Sequence, residues 1–186
     1  MTFSIAARCP RTGQLGVGAL TARPAVGKLV THVHPGGGAV ATQATPNPFL
    51  AYDGLPLLGE GRSPQDVLTE LLARDPGRKV RQVGMVDKIL RVFEDSRGLD
   101  LAERLVLAIE AGEEGGGDRD GARSATVTVT GDQPYPLWDM RVDDAVQPAR
   151  ELRRLHGVFR EEVLPTIQRL PTRDDPMGEA ARQALG

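Results

Sequence analysis

Phe3-Ser4-Ile5-Ala6-Ala7-Arg8-Cys9 is followed by Pro10-Arg11-Thr12-Gly13 and then by Gln14-Leu15-Gly16-Val17-Gly18-Ala19-Leu20-Thr21. The first stretch opens with strand-like alternation, the middle carries turn chemistry, and the last reads as a returning strand. The chain is therefore expected to enter a β-hairpin almost at its first residue. Most chain ends fray, but an end tied into a sheet is held in place.

Outward from this hairpin, an apolar stretch, Val26 to Val33, leads into Pro35-Gly36-Gly37-Gly38. Ala39 to Gln43 then reads as a buried strand ending in the polar loop Thr45-Pro46-Asn47-Pro48. Ser63-Pro64-Gln65-Asp66 has the N-cap serine, first-turn proline and first-turn acid that start a helix, with Leu68, Leu71 and Leu72 as its stripe. Asp75-Pro76-Gly77 stops it, and Val80 to Val83 reads as a short strand. With no turn cluster between them, Val86, Ile89, Leu90 and Phe93 fall on one face of an expected helix. Asp100 to Glu103 resembles a capping box opening a further helix through Leu105, Ala108 and Ile109. A glycine-rich loop, Gly112 to Gly121, precedes the strands Ser124 to Thr130 and Leu137 to Val142, and Pro148 opens a last helix striped by Leu152, Leu155, Phe159 and Val163. Strands, helices, strands and a helix in that order predict a layered α+β domain over residues 1–170, with 171–186 as a C-terminal tail.

Composition bounds the function. The 186 residues suit one domain, and 22 Gly with 14 Pro predict frequent turns. Basic residues number 23 against 25 acidic ones, for a net charge of -2, so there is no basic excess to bind nucleic acid. Aromatics at 4% leave little for a base-stacking surface. No apolar run approaches the roughly 18 residues that span a bilayer, and the start lacks a signal-peptide pattern, so no membrane partner and a cytoplasmic location are expected. The lone Cys9 excludes an internal disulfide and a cysteine zinc cluster.

Four groups carry candidate chemistry. Trimming of Met1 ahead of a residue as small as threonine would leave Thr2 with a hydroxyl and a free α-amine. That amine, with a pKa near 7.7–8.0, is a recognised base for a threonine nucleophile. His32 and His34 form an H-x-H pair whose imidazoles share a face if extended, although no metal-binding motif surrounds them and His156 lies far away. Gln43 and Asn47 stand at and beyond a strand end, where their amides could donate to a developing oxyanion. The loop Gly115 to Gly121 matches neither phosphate-binding pattern but could set Asp118 or Arg123 at the mouth of a site.

Several segments together carry a family resemblance. They are Met1 to Arg8, Thr12 to Val17, Pro24-Ala25-Val26-Gly27, and Gly38 to Gln43 with Asn47-Pro48. Asp75 to Arg78 with Arg81 to Gly84, Gly116-Gly117-Asp118 and Arg141 to Asp144 complete the set. From Met1 to about Pro171 the chain resembles the uncharacterised Ntn-hydrolase-like family known as domain of unknown function 1028. The resemblance implies a four-layer αββα sandwich of the N-terminal-nucleophile type. It further implies an amidohydrolase that cleaves a small-molecule or peptide amide through an acyl-enzyme on Thr2. Gln43 and Asn47 match the polar loop expected near the nucleophile, and Asp118 matches the acid of the glycine loop. Arg23 or Lys28 could lower the pKa of the amine or bind an acidic substrate end. No cofactor or metal is implied, and a homo-oligomer is expected, as for most soluble oligomers.

Three departures stand beside the resemblance. After Gly84 about forty residues of the family pattern are missing, judged against domains of ordinary size, so the sheet would lack some strands. Asp120 and Arg123 replace the arginine and glutamine the family tends to carry. Retention of Met1 would turn the α-amine of Thr2 into a peptide N–H. Two competing functions follow: a catalytically inert binding or scaffold protein with the same fold, and a metal-dependent hydrolase using His32 and His34.

Overall fold

A computed structural model describes residues 2–87, 98–114 and 120–185. The expected hairpin is present: β1 (Phe3–Arg8) pairs antiparallel with β2 (Leu15–Thr21), from Phe3 opposite Leu20 to Arg8 opposite Leu15. A short helix, α1 (Val26–Leu29), interrupts the next apolar stretch before β3 (Thr31–His34) and β4 (Gly38–Ala44). Two helices follow, α2 (Phe49–Gly59) and α3 (Pro64–Arg74), then β5 (Arg81–Asp87). Beyond residue 97 come α4 (Leu101–Glu114), β6 (Ser124–Thr130), β7 (Pro136–Val142) and α5 (Pro148–Val158). A wider π-type turn, Phe159–Val163, leads into α6 (Leu164–Ile167), and α7 (Gly178–Leu185) ends the described chain.

The strands form two antiparallel sheets, one ordered β1-β2-β6-β7 and the other β3-β4-β5. Three apolar clusters hold the layers together. Leu101, Leu105 and Ile109 of α4, with Leu152 of α5, cover one face of the four-stranded sheet through Leu20, Val127 and Met140. Leu50, Leu55 and Leu58 of α2, with Val67 and Leu71 of α3, cover the three-stranded sheet through Val40. Val17 and Ala19 meet Ala39 and Ala41 between the sheets, beside Val26 and Val30. The molecule is thus a mixed α+β fold whose small side chains let the two sheets approach. Every residue of β2 is buried, because α4 lies on one side of it and the second sheet on the other. Gly16 is required there: a Cβ would sit 2.6 Å from Leu105 Cδ1, inside contact distance.

Local rules set the helix starts. Ser63 Oγ accepts from Asp66 N at 3.1 Å, and Asp100 Oδ1 accepts from Glu103 N at 2.8 Å, each satisfying a first-turn N–H. Three expectations need correction. In α3 the buried positions are Val67 and Leu71, with Leu68 and Leu72 beside them, so the apolar stripe is shifted. Val86 belongs to β5, whose ladder runs on until Asp87 faces Gly38, so no helix starts at Val86. Ile89, Leu90 and Phe93 lie outside the described residues. The tail after Pro171 carries the eight-residue α7, tied back by Arg182 Nη1 and Nη2 donating to Asp175 at 2.6 and 2.7 Å. Among the described residues no helix is long and apolar enough to cross a membrane.

Candidate functional site

Several strand ends converge at one place between the sheets. Thr2 stands just before β1, Thr21 closes β2, Gln43 and Ala44 close β4, Gln82 opens β5, and Arg123 precedes β6. All six line a cavity of about 550 Å³. That volume lies within the range of small-molecule sites, roughly 300–1,000 Å³.

Thr2 is tied to this wall from three directions. Its Oγ1 lies 3.1 Å from Thr21 Oγ1, and its carbonyl accepts from Gln43 Nε2 at 3.0 Å. Its neighbour Phe3 packs its ring against Gly112 of α4 so closely that a Cβ there would sit 2.9 Å from Phe3 Cε1. The Thr2 hydroxyl is therefore presented from a fixed backbone. Gln43 is 5% exposed, and its Oε1 is buried without a hydrogen-bond partner among the described residues. Because Nε2 is the atom that must face the Thr2 carbonyl, the amide orientation is set and the orphan is an acceptor.

Backbone strain gathers around the same cavity. The non-glycine residues with left-handed backbone are Ala25 (φ 65°), Ala44 (φ 67°) and Asp144 (φ 57°), among the described residues. Ala44 lines the cavity, Ala25 lies between the lining residues Pro24 and Val26, and Asp144 holds Arg123 by an ion pair. Ala25 N in turn donates to Asp143 Oδ1. Each such residue costs roughly 1–3 kcal/mol, and strain of this kind clusters at functional sites.

Of the residues singled out by sequence, the cavity brings together Thr2, Gln43, Arg23 and Arg123. Lys28 is exposed in α1 and does not line it. Asn47 does not line it either: its amide donates to Asp75 Oδ2 at 3.4 Å while its Oδ1 accepts from Phe49 N at 3.2 Å. Asn47 thus serves the entry to α2. Asp118 lies outside the described residues. His32 is half-buried in β3, edge-on to Tyr52 at 5.3 Å between ring centroids, with Nε2 unpartnered; burial holds its pKa below the ordinary value against a hydrogen bond to the Leu29 carbonyl. His34 is exposed two residues on, and His156 is buried against Trp138 in the other layer. Among the described residues no three His, Cys, Asp or Glu side chains gather as a metal would need. The spacing of the pair alone does not assemble a site. Three further cavity residues are not singled out as site candidates by sequence: Thr21, marked only by the hairpin register that sets it opposite Thr2, Gln82, marked only as part of the segment that carries the resemblance, and Asp120, marked only as a departure from the family pattern.

The loop between β4 and α2 is braced by Asp75. Its buried carboxylate accepts from Arg81 Nε at 2.9 Å, Arg81 Nη2 at 3.3 Å and Gly77 N at 2.8 Å, while Arg81 Nη1 donates to the Thr45 carbonyl at 2.7 Å. Arg81 above all holds the Asp75 pKa down to about 2. A carboxyl whose folded pKa is depressed adds stability that is complete above its unfolded pKa and is lost as pH falls through the folded one. Asp75→Asn is therefore expected to unfold at lower temperature at pH 7. The gap to wild type should narrow as pH drops from about 4 to about 2; a constant gap in a pH series of melting curves would show that the charge is immaterial.

The chain resembles the solved structure of protein SPO2555 from Silicibacter pomeroyi, with a TM-score of 0.82 over 95% of this chain and 98% of that one at 22% identity. That likeness is one of fold. No curated protein matches the chain. A family profile matches residues 2–92 and 86–152, two blocks that overlap at 86–92, where the sequence pattern breaks. Those blocks take in most of the chain, including both sheets and the described wall of the cavity, and on that basis the protein belongs to the family of unknown function DUF1028.

Proposed function

We propose that the protein is an N-terminal-nucleophile amidohydrolase on an αββα sandwich, with Thr2 as nucleophile after Met1 is removed. The observation that carries this reading is the placement of Thr2 in a small-molecule-sized cavity, held by Thr21, Gln43 and the start of β1. The Thr2 hydroxyl attacks the amide carbonyl carbon while the freed α-amine accepts its proton. The C–N bond breaks, and the leaving amine takes that proton. Water then attacks the resulting ester, releasing the carboxylic acid and restoring the hydroxyl. Gln43 Nε2 is committed to the Thr2 carbonyl, and backbone N–H groups at the strand ends that line the cavity are the donors for the oxyanion.

The test pairs intact mass with an electrophilic acyl probe. Mature protein is expected to lack Met1 and to gain a single acyl group on Thr2 by peptide mapping. Retained methionine, or label on another residue, would leave an inert binding protein of the same fold.

A further inference from the structure

Charge in the cavity wall is uneven. Arg123 is ion-paired to Asp144, and Asp120 is already engaged within the chain. Arg23 differs. Its carbonyl accepts from Ser124 Oγ at 2.6 Å, which pins its backbone to the start of β6. Among the described residues its guanidinium has neither hydrogen bond nor ion pair. Gln43 lines the same cavity, and its Oε1 is buried without a hydrogen-bond partner among the described residues. Val26, Leu29 and Val30 supply apolar wall beside them.

We infer that the cavity receives a small secondary amide that also carries a carboxylate, an N-acyl amino acid being the simplest form, with the carboxylate on Arg23 and the amide N–H on Gln43 Oε1. The inference rests on the hydrolase reading for the amide as reacting group, but its recognition elements are independent of Thr2. A guanidinium takes carboxylate or phosphate through paired N–H bonds. An ionised phosphate offers acceptors only, which leaves the Gln43 oxygen unfed. A carboxylated amide satisfies both groups at once, and its acyl or side chain lies against the apolar wall. The volume fits a ligand of this size and is too small for a folded partner.

Calorimetric titration of the Thr2→Ala protein, in which turnover is blocked, tests the inference with N-acetyl-L-leucine and its methyl ester. The acid is expected to bind at least about ten-fold tighter than the ester, in line with one charge-assisted pair. Arg23→Gln in the same background should bring the acid down to the affinity of the ester and leave the ester unchanged. Lys28→Gln should preserve the preference, and inorganic phosphate at matched ionic strength should not displace the acid. Equal binding of acid and ester, no binding of either, survival of the preference in Arg23→Gln, or displacement by phosphate would each overturn it. The two readings fail separately. Carboxylate preference in a protein that keeps Met1 sinks only the hydrolase. Amide turnover by wild type without carboxylate preference sinks only the recognition.

Discussion

Thr2→Ala is expected to lower amide hydrolysis by about three orders of magnitude or more, since removing a covalent nucleophile leaves only residual catalysis from binding and oxyanion contacts. Thr2→Ser, which keeps a hydroxyl on a residue equally small, should retain activity within about ten-fold. The fold should survive both changes. The side chain of Thr2 contributes one hydrogen bond, to Thr21 Oγ1, worth about 0.5–1.5 kcal/mol, and Thr21 has a further partner of its own. The carbonyl that Gln43 holds belongs to the backbone and is untouched by the substitution. Amine release followed beside thermal unfolding and intact mass separates the outcomes. An alanine variant that hydrolyses amides at the wild-type rate, with an unchanged melting point, would remove Thr2 from the chemistry altogether.

Much of the architecture is written in short-range pattern. The opening hairpin shows alternation, turn residues and return strand together, and its register follows, so Thr2 opposite Thr21 extends the ladder from Phe3 and Leu20. The capped helix starts at Ser63 and Asp100 are equally local. What escaped is set by tertiary contacts. Helix α2 contains Gly54 and Pro56, poor helix formers, and is held by burial of Leu50, Leu55 and Leu58. The helical spacing of Val86 with Ile89, Leu90 and Phe93 gives way at its first member, because pairing with β4 satisfies the backbone through Asp87. Asn47 and Gln43 are alike in sequence, an amide near a strand end, and only the distant Asp75 draws one of them away from the cavity. Left-handed backbone at Ala25 and Ala44 carries no sequence signal, since alanine marks no turn.

Trp138→Ala should be the most damaging single change to the fold, costing about 3–5 kcal/mol as a large buried aromatic is truncated. Trp138, 4% exposed in β7, is stacked on His156 at 4.8 Å and on Phe159 at 5.1 Å between ring centroids, so its indole joins the sheet to α5 and to the turn that follows. His156 gives the loss a pH signature. Burial, and then the nearby Arg160 guanidinium, hold its pKa below the ordinary value. The unfolded chain therefore binds the proton more readily, and this part of the stability is complete above about pH 6.5 and fades as pH falls toward the folded pKa. Removing the indole admits water to the imidazole and returns its pKa toward the ordinary value. The deficit of the variant should accordingly be largest near pH 7.5 and smaller near pH 5. Urea unfolding followed by circular dichroism reads it, because the chain has a single tryptophan and the variant none. A loss below about 1 kcal/mol at pH 7.5 would mean that the two layers hold together without this ring.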